Sequence, residues 1–203
     1  MSYSKAAICN IALGHIGINR AILDLDADGS AQGLACRTNF TIALETTLRA
    51  HRWSFAKRTA TLATISGYSS NAWAYAYRLP SDFLYAASIN RSEADPSGEP
   101  YEMGGDTSGP VLYTNAEDAE LDYIANVTLP GLYPADFVDA LAAQLASRIA
   151  QPLAAIESLR QAAESLFRGY VTRAMADQGN ESVGLEPEQS AFLAARGYAD
   201  GGA

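Results

Sequence analysis

The sequence lacks nearly every pattern that announces chemistry. Its 203 residues include two cysteines and two histidines. Cys9 and Cys36 each sit inside an apolar helical pattern, where a free thiol behaves as a small hydrophobe, so no disulfide is expected. There is no G-x-S-x-G elbow for a nucleophilic serine, and no protease context around either cysteine. Neither G-x-G-x-x-G nor the Walker pattern is present to cradle a phosphate. No run approaches the roughly 20 apolar residues of a bilayer span, so no membrane association is expected. The opening MSYSKAAICNIALGHIG has no basic leader before a continuous apolar block, from which we expect a protein made and first kept in a cytoplasm. No internal repeat is visible, which removes solenoids and propellers.

Positive charge is also scarce, and in one place absent. The net charge is −9. From Glu93 through Asp95, Glu99, Glu102, Asp106, Glu117, Asp118 and Glu120 to Asp122 the chain carries acids and no Lys or Arg. The acids elsewhere balance the 14 Lys and Arg. Broad nucleic-acid affinity needs clustered cations that displace counterions, and the acidic segment should repel DNA.

What is present is a clear order of elements. Ile8, Ile11, Ala12 and Ile16 recur at helical spacing after Ser4, and Gly17 can close that helix in a left-handed conformation. After a turn-rich stretch, Ser30 should cap a longer helix, running to about Arg49, that carries Cys36, Phe40, Leu44 and Leu48, with His51 continuing the face. RWSFAKRTATLAT is aromatic and β-branched, which predicts strand. Trp73, Tyr75, Tyr77 and Leu79 alternate with Ala72, Ala74, Ala76 and Arg78, giving an aromatic face and a nearly bare one. Further strands are expected at 83–90, 111–114 and 121–127, divided by Pro, Gly and Ser clusters. Helix returns with Pro134 at its first position and Phe137, Leu141, Leu145 and Ile149 as a buried stripe. Pro152 should interrupt it. A fourth helix then sets Ile156, Leu159, Ala163, Leu166 and Tyr170 on one seam. The fold class expected is α+β: an antiparallel bundle of about four helices (1–51 and 133–180), an inserted antiparallel β-rich lobe (52–132), and an extended C-terminal arm (181–203). The arm's Leu185, Phe192, Leu193 and Tyr198 are too few to bury alone and should order on a partner.

Several candidate sites compete with plainer explanations. Asp24, Asp26, Asp28 and Gly29 imitate the first half of an EF-hand loop, but its twelfth position is Ala35 where a bidentate Glu belongs. An acidic turn leading to the Ser30 cap explains them better. Cys9, His15, Cys36 and His51 are zinc-ligand types at spacings that should not converge. Arg49, Arg52, Lys57 and Arg58, with Trp53 and Phe55 interleaved, suggest a single-strand platform; core packing of the two aromatics is the favoured account. Paired carboxylates for cutting a cell-wall glycan could be drawn from the acidic run, although any acidic surface would offer such pairs. No cofactor, metal or catalytic residue is expected.

Five segments in order carry a resemblance. A-L-G-H-I-G, D-L-D-A-D-G-S, L-R-A-H-R-W-S-F-A-K-R, W-A-Y-A-Y-R-L-P-S-D-F-L and F-V-D-A-L-A-A-Q-L-A-S-R-I-A-Q-P-L together resemble the tail tubular, or head-to-tail adaptor, proteins of short-tailed phages, from about Ser4 to about Asp177. The family often has Pro where this chain has Arg52. The resemblance implies a helical bundle with a β-rich lobe in a virion ring of about twelve copies. That ring would lie beneath the portal protein, with a tail nozzle or other tail proteins below, and genomic DNA would pass its channel without specific binding. It implies no catalytic residues, and it places the C-terminal extension against the portal.

Overall fold

The computed structural model describes residues 3–181 apart from positions 69, 93, 94 and 96, with the side chains of 178–181 also left aside. The arm residues Leu185, Phe192, Leu193 and Tyr198 therefore lie outside the described residues. Four helices and two antiparallel sheets make an α+β fold. No helix among the described residues is long and apolar enough to cross a membrane.

Helix α1 (Lys5–His15) starts where the Ser4 hydroxyl accepts from the Ala7 N–H at 3.1 Å. It buries Ala6, Ile8, Cys9, Ala12 and Leu13, and Gly17 follows at φ +76°. Helix α2 (Ala31–Ala50) starts in the same way, with the Ser30 hydroxyl accepting from the Gly33 N–H at 3.1 Å. Each cap satisfies one of the donors a helix N-terminus leaves open. Cys36, Phe40, Ala43, Leu44, Thr47 and Leu48 form the buried face of α2. His51 terminates the helix in an extended conformation instead of continuing that face.

Strand does not begin at Arg52 as its composition suggests. Trp53 leads into a 3-10 turn, Ser54–Ala56, and is 2% exposed. The Trp53 indole N–H donates to the Thr47 carbonyl at 2.8 Å, a bond that holds the ring back against α2. Strand β1 (Lys57–Thr61) follows, and Leu62 separates it from β2 (Ala63–Thr64). There the chain changes sheets while the Leu62 N–H donates to the Ala119 carbonyl at 2.9 Å. The remaining strands are β3 (Tyr75–Arg78), β4 (Phe83–Ile89), β5 (Tyr101–Asp106), β6 (Gly109–Thr114) and β7 (Glu120–Ala125). One sheet runs β1-β7-β4 and the other β2-β3-β6-β5.

Two features of these sheets depart from expectation. The alanine face of β3 is not bare: Ala76 is 2% exposed, and Tyr113, its partner in register on β6, stacks on Tyr68 with centroids 5.3 Å apart. Strand β5, sequence YEMGGD, has no strand-like composition. It forms because a two-residue turn aligns Asp106 with Gly109, the latter at φ +129°, so that β6 supplies every ladder partner.

Helix α3 (Ala135–Ala154) is the centre of the body and packs against α1, α2 and α4. Its small residues Ala140, Ala142, Ala143, Ala146 and Ala150 are all fully buried and admit neighbouring helices on several sides. Pro134 is the N-cap, one position earlier than expected, with its carbonyl accepting from the Val138 N–H at 3.0 Å. Pro152 does not interrupt α3. It lies in the last turn, where few hydrogen bonds remain to be lost, and the helix ends at Ala155 in the left-handed region, φ +53°. Helix α4 (Glu157–Glu181) buries Ala163, Val171 and Ala174, with Leu159, Phe167 and Tyr170 half-buried. Ile156 and Leu166, expected on the seam, are 49% and 41% exposed. Ile156 precedes the first residue of α4, and the four-residue steps from 163 to 167 to 171 rotate the buried line away from Leu166.

Two stability measurements follow. Ala155→Gly removes the left-handed penalty at an exposed cap and should raise unfolding free energy by about 1 kcal/mol, while the control Ala154→Gly, still within the helix, should lower it. Phe137→Ala, at a fully enclosed ring, should cost about 3–5 kcal/mol in denaturant unfolding.

Candidate functional site

The acidic run does not form one uninterrupted negative surface, because most of its described carboxylates are already used. Asp95 Oδ1 accepts from Ser97 and from the Gly98 N–H, and the Ser97 hydrogen bond holds this carboxyl below its usual range. Glu99 accepts from the Asn90 amide at 3.1 Å, and Glu102 from the Trp73 indole at 2.8 Å. Asp106 accepts both Arg78 guanidinium nitrogens, at 2.9 and 2.7 Å, which lowers its carboxyl to about 2. Asp122 accepts from Thr59 at 2.7 Å and from Ser88 at 3.3 Å, with Arg91 at 4.0 Å.

Glu117, Asp118 and Glu120 differ. They are exposed and make no ion pair among the described residues. Their backbone, by contrast, is firmly tied. Ala116 and Ala119, between and beside them, are buried at 6% and 1% exposure. The fully enclosed Tyr77 hydroxyl reaches the Ala116 carbonyl at 2.7 Å and also the Glu117 carbonyl. The Asn90 amide donates to the Asp118 carbonyl at 2.9 Å, while its Oδ1 accepts from the Glu120 N–H at 2.7 Å. Asn90 does this from the left-handed region, φ +49°, which Asn tolerates better than most side chains. Gly98 packs so closely here that a β-carbon would lie 2.2 Å from the Ile89 carbonyl oxygen. A rigid corner between β6 and β7 thus presents three outward carboxylates.

Cations gather further along the β1-β7-β4 sheet. A recess of about 320 Å³ is lined by Arg52, Lys57, Arg58 and Arg91, with Thr59, Ser88 and Asp122 among its polar walls and Ala87, Tyr123 and Ile124 completing it. Strands β1, β7 and β4 each contribute. Arg52 is drawn toward β4 through the Ala87 carbonyl at 3.4 Å, and Arg58 is folded back on the Phe55 and Lys57 carbonyls at 3.0 and 2.8 Å. Arg49, expected in the same basic cluster, instead donates to the Leu84 carbonyl at 2.7 Å and ties α2 to β4. Trp53 and Phe55 belong to the core, so the stacking faces of a single-strand platform are spent on packing. The recess can hold an anion. Among the described residues its lining has one carboxylate, Asp122.

The other sequence candidates resolve locally. Asp24 accepts from the Asp26 N–H at 3.0 Å and Asp28 from the Ser30 N–H at 2.7 Å, while Arg37 donates to the Leu25 and Asp26 carbonyls. The acids shape a turn into α2. Of the four zinc-ligand types, Cys9 and Cys36 meet between the buried faces of α1 and α2; both are free thiols. The hydrogen bond to Cys36, and then burial, push the Cys9 thiol up. His15 and His51 do not join them in a ligand set: no group of three or more His, Cys, Asp or Glu placed to hold a metal ion occurs among the described residues. His51 packs edge-on against Trp53, 5.1 Å between centroids.

Neither a protein-family model nor a curated protein matches the chain. Arg91 in the recess and Asn90 behind the acidic corner had no signal of their own in the sequence; the pairing of β4 with β7 sets both beside the acidic run.

The Asp106 pair gives a pH test. Its carboxyl lies below the ordinary 3.8, so its contribution to stability is complete above about pH 4 and is lost as pH falls toward 2. Carboxyl-resolved NMR titration should place Asp106 near 2 in the native chain and higher in Arg78→Gln, though still below the ordinary value because the Ser108 N–H continues to donate to Oδ1. An unchanged value in the variant would remove Arg78 as the cause.

Proposed function

We propose that this chain is a structural virion protein, a head-to-tail adaptor that forms a ring of about twelve copies under a phage portal and receives the tail nozzle or other tail proteins below. The observation that supports it most is the coincidence of segment order with architecture. A-L-G-H-I-G closes α1, D-L-D-A-D-G-S is the turn into α2, and L-R-A-H-R-W-S-F-A-K-R spans the passage from α2 to β1. W-A-Y-A-Y-R-L-P-S-D-F-L covers β3 and the start of β4, and F-V-D-A-L-A-A-Q-L-A-S-R-I-A-Q-P-L is α3. The four-helix body with an antiparallel β lobe is the arrangement the resemblance implies.

On this reading the work of the chain is assembly. Residues 181–203 carry the apolar Leu185, Phe192, Leu193 and Tyr198, and docking between portal subunits would bury them. The order of assembly is then set by the portal, since that inter-subunit surface exists only there. DNA passes through the ring without a specific contact.

Deletion of residues 181–203 should leave helical circular dichroism and cooperative unfolding intact while abolishing co-sedimentation with the cognate portal. Portal binding retained by the truncated chain would refute the role of the arm, and failure of the full chain to bind any portal ring would refute the adaptor reading.

A further inference from the structure

Where the start of α3 passes the later turns of α4, the surface opens into two adjoining hollows of about 240 and 220 Å³ that share Asp136, Ala174 and Asp177. Together they make one groove. Trp53 and Ala174, both buried, and the half-buried Tyr170 give it an apolar floor, and His51 lies at its inner end against Trp53. Asp136 and Asp139 stand exposed at its rim, and neither makes an ion pair among the described residues. Asp177, on the α4 side, is answered at 3.7 Å by Arg173. The groove offers apolar burial beside two outward carboxylates.

We propose that residues 189–199 of the same chain occupy this groove, with Phe192 and Leu193 against its floor and Arg196 between Asp136 and Asp139. The chain continues beyond the described residues from the end of α4, four residues past Asp177, so the continuing segment starts beside the groove. Its charge is complementary. Arg196 is the first Lys or Arg after Arg173 and the only charged residue in 189–199, and the apolar Phe192 and Leu193 lie four and three residues before it. Its reach is sufficient: the stretch from Glu181 to Phe192 can span roughly 35 Å when extended, whereas Tyr170 lies about 17 Å back along the helix. Gly184 and Pro187 stand within that stretch, residue types that suit a reversal. Tethering at this length gives an effective concentration on the order of millimolar, so even a weak contact is populated. A neighbour's segment has no such advantage. On the adaptor reading, on which only this consequence rests, the groove and the portal compete for the same side chains.

The test uses the full chain carrying Arg196→Lys, as an equal mixture of nitrogen-14 and nitrogen-15 protein treated with a zero-length carbodiimide. Peptides joining the new amine to the 135–139 segment are expected, both halves bearing the same isotope. A link from the same amine to Asp200 reports that it reacts. That local link without one to 135–139 overturns the proposal, and so do mixed-isotope peptides in equal share, which would assign the groove to the segment of a second copy. Phe192→Ser with Leu193→Ser should lose the link to 135–139 and keep the local one; an unchanged yield overturns the apolar docking. Asp136→Asn with Asp139→Asn should release the segment and tighten binding to the cognate portal several-fold, and an unchanged affinity refutes the competition. A link kept by a chain that binds no portal leaves the contact and removes the adaptor, whereas portal binding by a chain without the link does the reverse.

Discussion

Phe137 is fully enclosed at the start of α3, and every crossing between helices and sheets touches its ring. Trp53 meets it edge-on at 4.9 Å from the end of α2, Phe55 at 4.9 Å from the entry to β1, and Tyr133 at 4.9 Å from the return out of β7. Edge-to-face packing at such separations adds roughly 0.5–1.5 kcal/mol per pair beyond the area buried. The polar ends of the cluster are satisfied as well, through the Trp53 indole on Thr47 and the Tyr133 hydroxyl on the Val127 carbonyl at 2.8 Å. Because three segments converge on one side chain, the angle between the helical body and the lobe follows from how these rings fit. The corner and the recess hold their positions relative to α3 for the same reason.

Much of the body was legible from periodicity. Ser30 is a side-chain cap, Gly17 takes the left-handed position, and the stripe Phe137, Leu141, Leu145 and Ile149 is buried throughout. Where the reading failed, long-range geometry overrode a local preference. Trp53 and Phe55 alternate as strand residues do, yet the indole bond to Thr47 and the fit around Phe137 curl that segment into a turn. Strand β5 exists because β6 is beside it, a fact no window of YEMGGD could contain. Pro152 breaks helices in principle, but α3 was already ending.

The charges show the same division. A run of acids without a base is easily seen, and it suggests a uniformly repelling face. Folding distributes those acids into different duties. Asp106 neutralises Arg78, Asp95 closes a turn, Glu102 orients Trp73, and Asp122 sits among cations. Only side-chain partners separate the carboxylates that build the lobe from the exposed ones at Glu117, Asp118 and Glu120. Likewise Arg49 and Arg52 are three residues apart, yet one fastens a strand to a helix and the other faces an open recess.

Trp53 and Tyr133 lie against the same ring although 80 residues of chain separate them, so the lobe leaves and rejoins the body at nearly one point. A unit with adjacent ends makes few demands on its host beyond the side chains at the junction. The lobe is in effect a cassette. Changes in the length or charge of the lobe therefore leave Phe137 and the rings around it untouched, so the surface of the lobe is separable from the packing that fixes the fold.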